Sequence, residues 1–314
     1  MKILVTGVAG FIGSKIARAL LAEGHEVLGI DSFTEYYDTR IKRRNIEELA
    51  QDGLRLSVGD LNIVELDNIV NGVEVVFHQA GQPGVRPSWG SSFDGYLKNN
   101  VHATQRLLET LKGSETLTRF VYASSSSIYG DAMTLPTRED AVPAPRSPYG
   151  VTKLAAEHLC GVYAKNFGVP AISLRYFTVF GPGQRPDMAF TRFCKAAVTG
   201  SGISVYGDGE QTRDFTYVED VVSANLAAMQ SDYVPGEILN IAGGTHASVN
   251  EVIRTLEKLS GRSLSVDYTE VATGDVRITS GDTERANRIL GWKPTVDLDE
   301  GLAAQLSWAE ELFA

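Results

Sequence analysis

The segment that most restricts this chain lies at its start. Lys2-Ile3-Leu4-Val5-Thr6 is a short apolar run, and Gly7-Val8-Ala9-Gly10-Phe11-Ile12-Gly13 follows it directly. A continuous apolar run of this kind reads as a strand buried on both faces. Residues 11–23 then have helical spacing, with Ile12, Ile16, Ala19 and Leu20 on one face. Gly24-His25 ends that helix, and residues 26–30 read as a second strand. Strand, glycine turn, helix and strand in this order imply a right-handed crossover and a parallel sheet. The G-x-x-G-x-x-G spacing has a physical reason at each position. Gly7 permits a tight turn, Gly10 lets a pyrophosphate approach the backbone, and Gly13 lets the helix pack close to the sheet. The helix start at Phe11 and Ile12 offers free N–H groups and a positive dipole end.

The second strand leads to Asp31, 24 residues past Gly7. A carboxylate there accepts both hydroxyls of an adenosine ribose. It also repels a 2′-phosphate, and Ser32 and Phe33 supply no arginine to hold one, so the expected cofactor is NAD. Asp60-Leu61 follows a third strand at 54–58 and is placed for the adenine. Further strands are expected at 73–78, 119–124 and 170–175, with helices at 63–70, 93–111 and 148–167. This alternation predicts an α/β fold, a doubly wound parallel sheet of the Rossmann type. Beyond about residue 175 the pattern loosens; helices at 188–199, 218–230, 249–259 and near the end imply a smaller C-terminal lobe.

Composition narrows the function classes. The formal net charge is −10 over 314 residues and no local basic patch appears, so nucleic acid is not an expected partner. A small phosphorylated ligand needs only backbone N–H groups and one or two arginines. Cys160 and Cys194 lie far apart without histidine partners, which fits two buried thiols in a reducing compartment and no metal site. The first apolar run turns straight into glycines and nothing approaches about 20 apolar residues, so a cytoplasmic location and no membrane span are expected.

Ser147-Pro148-Tyr149-Gly150-Val151-Thr152-Lys153 reads as a helix start, with Ser147 as N-cap and Pro148 in the first turn. Tyr149 and Lys153 are four apart and share a face. A lysine ammonium beside a phenol would lower the tyrosine pKa from about 10 towards neutrality, making a general base for a sugar hydroxyl. Upstream, Ser124-Ser125-Ser126-Ser127-Ile128-Tyr129-Gly130 puts a run of hydroxyls at the carboxyl end of a strand, the edge where open α/β sheets bind ligands.

With these residues in view, the chain resembles the extended short-chain dehydrogenase/reductase family over nearly its whole length. The resemblance extends to Tyr206-Gly207-Asp208-Gly209-Glu210-Gln211-Thr212-Arg213-Asp214-Phe215-Thr216-Tyr217-Val218. It implies Ser125 as the catalytic hydroxyl and Tyr149 as the base. Lys153 would activate the tyrosine and bind the cofactor ribose, and Arg213 would hold the diphosphate of a UDP-sugar. It also implies a dimer through a four-helix bundle, for which residues 93–111 and 148–167 are the candidates. Residues 1–175, with segments near 210–242 returning to them, would form the NAD-binding domain, and 176–314 the UDP-sugar-binding lobe.

Members of the family begin by oxidising C4 of the sugar and differ in the fate of the resulting ketone. Dehydratases carry Asp-Glu directly after the catalytic hydroxyl, and UDP-glucuronate decarboxylases carry Glu at the second of those positions. Here they are Ser126 and Ser127, and serine is no carboxylic acid. Simple 4-epimerisation remains. UDP-galactose 4-epimerases show Asn after Arg-Tyr-Phe, where this chain has Thr178. The Arg185-Pro186-Asp187-Met188-Ala189 run, and Gly81 to Trp89, are similar to UDP-glucuronate 4-epimerases of bacteria and plants. A substrate carboxylate needs charge-assisted donors. Arg185 is the first candidate, helped by Thr178, Ser126 and Ser127, with a loop salt bridge to Asp187 as its alternative; Arg86 is available for the carboxylate, a phosphate, or a Glu or Asp of the chain. Asp275 is the candidate for the uridine ribose, but Ala272 stands where UDP-galactose epimerases carry an arginine, and Arg277 is the candidate to replace it. The alternatives are a 4-epimerase for UDP-glucose or a UDP-N-acetylhexosamine, a UDP-glucuronate decarboxylase, and a non-catalytic NAD-binding protein.

Overall fold

The computed structural model describes residues 1–314. Its strands are β1 (Lys2–Thr6), β2 (Glu26–Asp31), β3 (Arg55–Val58), β4 (Val75–His78), β5 (Arg119–Ser125), β6 (Ala171–Tyr176), β7 (Thr178–Phe180), β8 (Ile203–Tyr206), β9 (Thr212–Tyr217), β10 (Glu237–Ile241), β11 (Thr245–Ser248) and β12 (Val266–Thr269). Seven of them make one parallel sheet in the order β10-β6-β5-β4-β1-β2-β3. The direction of winding reverses beside β1, between β2 and β4, which opens a crevice at the carboxyl ends of these strands.

Ile3, Leu4 and Val5 are fully buried because β1 is covered on both faces. On one face Ile16, Ala17 and Leu20 of the Phe11–Ala22 helix pack with Val221, Ala224 and Ala228 of the Val218–Gln230 helix. On the other, Leu107, Leu108 and Leu111 meet Ala156, Cys160 and Tyr163 of the Pro148–Phe167 helix. Each large aliphatic side chain so buried contributes about 1.5–3 kcal/mol. A third cluster belongs to the lobe, where the helices Ala189–Thr199, Val249–Ser260 and Leu298–Phe313 close over Phe180, Phe190 and Phe215. The lobe has two small sheets, β11-β9-β7 and β12-β8.

The Pro148–Phe167 helix begins as its sequence predicts. Ser147 Oγ accepts from Gly150 N at 3.1 Å, Pro148 fills the first turn, and Gly168 closes the far end at φ 70°. Other elements differ from expectation. The helix expected at 63–70 is only Leu66–Val70, because Asp60 closes a turn on Asn62 and leaves Ile63 72% exposed. The segment 93–111 is interrupted by a π-helical stretch, Leu97–His102, where Asn100 turns inward to bond the backbone of Gln82. The Thr39–Gln51 helix and the short lobe strands were not evident from periodicity. Strand β6 runs almost directly into β7, with Phe177 alone between them, so one continuous stretch serves both the main sheet and the lobe.

Candidate active site

A single deep cleft of about 730 Å³ lies at the switch point, between the main sheet and the lobe. All the residues singled out above for catalysis, cofactor and substrate line it; Arg277 does not. Its floor is the glycine turn. Gly7 sits at φ 67°, and a Cβ there would lie 2.8 Å from the Ala80 backbone. A Cβ on Gly13 would lie 2.3 Å from Gly7 O, inside contact distance. Phe11 and Ile12 open the helix above, and Gly10, its N-cap, provides no side-chain cap, so the first N–H groups stay available. This cradle, shaped so that only bare backbone fits, suits a dinucleotide pyrophosphate.

Asp31 ends β2 at the rim. Its Oδ2 accepts from Ala9 N at 3.1 Å and its Oδ1 from Phe33 N at 2.8 Å, which fixes the carboxylate against the glycine turn. Asp60 is braced by Lys98 Nζ at 2.8 Å and by Asn62. Burial pushes its carboxyl up, but these donors outweigh it and hold the pKa below the ordinary value. Leu61 beside it is buried. The polar rim, the apolar Leu61 and the glycine cradle together fit NAD.

Ser125 ends β5 and caps the Ser126–Ile128 turn, its Oγ accepting from Ser127 N at 3.1 Å. The helix of Tyr149 and Lys153 presses onto that turn. A Cβ on Gly150 would fall 2.6 Å from Ser127 O, so a glycine there lets the two segments touch. The Lys153 ammonium makes no hydrogen bond to the Tyr149 phenol. Lys153 Nζ donates to Ala123 O at 2.6 Å and lies 4.9 Å from the centre of the Tyr122 ring. Burial lowers its pKa to about 8, against the opposing pull of Cys160 and Glu157. Tyr149 is raised, not lowered: burial dominates, and the Ser125 hydroxyl and the Arg185 charge only partly counter it. In the protein's own field Tyr149 is therefore a neutral phenol.

The sugar end is rich in paired arginines. Arg185 holds Asp187 through Nε at 3.0 Å and Nη2 at 2.9 Å, leaving Nη1 without a protein partner. Burial opposes its charge, yet Asp187 prevails and raises its pKa. Tyr36 lies under the guanidinium at 5.6 Å. Ser126, Ser127 and Thr178 are half-buried around the same space. Arg86 and Asp275, taken separately above, bind each other at 2.9 Å, with Arg86 stacked 4.1 Å from the Tyr206 ring. Arg213 meets no carboxylate; it donates to Thr212 O and Arg277 O, and burial lowers its pKa. Arg277 forks onto Asp208 at 2.8 and 3.0 Å, outside the cleft, so it does not replace the missing arginine before Asp275.

Some cleft residues escaped the sequence. Lys42 lines the cleft from a helix that periodicity missed, although Asp38 before Thr39 is an N-cap signal. Tyr36 comes from an irregular loop with no signal. Tyr206 heads the segment that contains Arg213, and its role as a platform needed the fold to show it.

Residues 3–242 match the family model described as the NAD dependent epimerase/dehydratase family. The UDP-glucuronate 4-epimerase of Thermodesulfobacterium geofontis is 37% identical over 98% of this chain and 96% of its own length. An uncharacterised UDP-glucose epimerase of Bacillus subtilis is 40% identical, covering 100% of this chain and 99% of its own. Among solved structures, UDP-glucuronic acid 4-epimerase from Bacillus cereus in complex with UDP-glucuronic acid and NAD superposes with a TM-score of 0.96. It is 42% identical, covering 99% of this chain and 100% of that one.

Proposed function

Because the chain belongs to the NAD dependent epimerase/dehydratase family, we propose that it interconverts UDP-glucuronic acid and UDP-galacturonic acid by 4-epimerisation with bound NAD. The observation that carries this reading is the company Tyr149 keeps. Arg185 and the hydroxyls of Ser126, Ser127 and Thr178 share its cleft, and no acid stands after Ser125 to drive elimination or decarboxylation.

Bound NAD supplies a reversible hydride acceptor for C4, and its oxidised ring adds the positive charge that draws the Tyr149 phenol towards ionisation. Tyr149 takes the proton of the C4 hydroxyl, directly or through Ser125, and returns it to the C4 oxygen after the ring has turned over, when the hydride would come back to the opposite face of C4. Lys153 binds the cofactor ribose and holds the cationic form that favours phenolate. Arg213 and Arg86 hold the diphosphate while Asp275 meets the uridine ribose. The 4-keto form of a glucuronate is a β-keto acid, which loses CO₂ once its carboxylate turns perpendicular to the carbonyl. The free Nη1 edge of Arg185, with Thr178, Ser126 and Ser127, holds that carboxylate while the ring turns over. Asp187 fills the other edge of the guanidinium.

In this reading residues 1–175 form the cofactor unit and 176–314 the sugar lobe; of the stretch 210–242 only the Val218–Gln230 helix and β10 return to the cofactor unit, because β9 pairs within the lobe. A second copy would cover the half-exposed Leu97, Val151, Val162 and Phe167, giving a homodimer. The free thiols Cys160 and Cys194 suit the cytoplasm. A second reading, a neutral UDP-hexose as substrate, is favoured by the Arg185–Asp187 pair, which cancels the arginine's charge. NMR of the purified protein with UDP-glucuronate and no added NAD separates them. UDP-galacturonate is the expected product; UDP-xylose would make it a decarboxylase. Turnover of UDP-glucose alone would support the second reading.

A further inference from the structure

The groups assigned to the reaction sit on four separate pieces of chain: Ser125 on β5, Ser126 and Ser127 in the turn after it, Tyr149 and Lys153 on a helix, and Thr178 on β7. One ion pair beneath the cleft ties the first three of these pieces together, and its arginine lies on the strand that leads into the fourth. Glu157 lies one helical turn beyond Lys153, and Arg175 lies on β6, three residues before Thr178. Arg175 donates to Glu157 through Nε at 2.9 Å and Nη2 at 2.7 Å, and the two side chains are 3% and 0% exposed. Ser124, adjacent to Ser125, donates its hydroxyl to Glu157 Oε2 at 2.6 Å. The third arm of Arg175 donates to the Tyr129 hydroxyl at 2.6 Å, just past the serine turn, and to Glu139 O at 3.1 Å. Tyr129 in turn donates to Asn240 Oδ1 on β10 at 2.7 Å.

Burying two charges seldom adds net stability, and an apolar replacement of the same volume is often as stable or more so. What such a pair supplies is direction. A bidentate fork fixes two planes, and here the hydrogen bonds from it to Ser124 and Tyr129 lead to the segment bearing Ser125, Ser126 and Ser127, while the bond to Glu139 O ties in a loop outside the cleft. Glu157, Arg175 and Tyr129 do not line the cleft, so they act only through others.

We infer that the Glu157–Arg175 pair is a positioning unit. It sets the distance between Ser125 and the Tyr149–Lys153 helix face, and it anchors the strand that delivers Thr178. The inference rests on the roles given to those residues under the proposed function.

Ser124→Ala tests it, because this change removes the tether of β5 and leaves the ion pair whole. Misplacing reacting groups by a fraction of an ångström predicts a kcat about tenfold lower. The KM for the UDP-sugar, the NAD bound per subunit and the melting temperature should stay near wild type. Tyr129→Phe, which frees the serine turn, should lower kcat about threefold with the same unchanged KM. Glu157→Gln should lose more, and if it does not fold the two milder variants decide. Rates are taken per NAD-loaded subunit, so loss of folded protein does not count as loss of chemistry. Wild-type kcat in both milder variants would overturn the inference, as would a raised KM at constant kcat. Wild-type protein that turns over only a neutral UDP-hexose would sink the substrate reading alone, since the same comparison is then made on that sugar.

Discussion

At the cofactor end of the cleft, polar groups are held mainly by the backbone, with Asp60 and its Lys98 partner as the exception. Asp31 is fixed by two main-chain N–H groups, Lys153 by a main-chain carbonyl, and the glycine turn needs no side chain at all. At the sugar end, two of the three arginines assigned to the substrate are held by carboxylates of the protein itself, Arg185 by Asp187 and Arg86 by Asp275, while Arg213 has only backbone carbonyls. The first arrangement is complete before any ligand arrives, and its order is part of the fold. In the second, an incoming anion must share or displace a protein carboxylate, so only the difference between two similar contacts appears as affinity. The cofactor end is thus built for tenacity and the sugar end for discrimination.

The largest test of this contrast is Tyr149→Phe, which removes the proton carrier. Turnover should fall about 10³-fold with NAD still bound, measured by product NMR and cofactor release. Gly13→Ala attacks the preformed cradle. Its methyl meets Gly7 O, and overpacking of this kind should weaken NAD binding roughly 10- to 100-fold, read by calorimetry. If NAD binds as before, the cradle is softer than described. Arg185→Ala should cut kcat/KM on UDP-glucuronate about 30-fold, release some UDP-pentose, and spare a neutral UDP-hexose. An unchanged rate without by-product would remove the clamp. Lys153, lowered to about 8 by burial, loses its proton as pH rises through that value. The kcat profile should therefore drop about tenfold per unit above it, and Lys153→Arg should move this alkaline limb upward. Smallest is Asp187→Asn, which frees Arg185 from competition; KM for UDP-glucuronate should fall about threefold. A rise instead would mean that Asp187 aims the arginine more than it restrains it.

The two ends were also unequally legible. Strand β1 and the helix of Tyr149 have the expected bounds because their signals are local: an apolar run ending in glycine, and Ser-Pro as cap and first turn. Asp187, two residues away, could be picked as a partner for Arg185, but the particular acid that meets Arg86 could not. Arg86 and Asp275 are 189 positions apart and only the fold joins them. The Tyr149–Lys153 spacing misled in one respect. Four residues apart on a helix implies a shared face, but it does not aim the ammonium, which the carbonyl of Ala123 captures. The lobe strands stayed hidden because they are not continuous apolar runs: β9 is Thr-Arg-Asp-Phe-Thr-Tyr and β11 is Thr-His-Ala-Ser.

The passage of β6 into β7 through Phe177 bears on how such an enzyme could acquire a new sugar. The chain leaves the main sheet at Phe177, comes back for the Val218–Gln230 helix and β10, leaves at β11, returns with the Glu284–Leu290 helix, and ends in the lobe with Leu298–Phe313. A sugar lobe transplanted from a relative would have to be spliced at each of these crossings, the first of them inside what is nearly one strand. Whole-module exchange is therefore mechanically awkward in this architecture. Change is easier through single side-chain substitutions at cleft positions such as Arg185, which lies in a loop away from the seam.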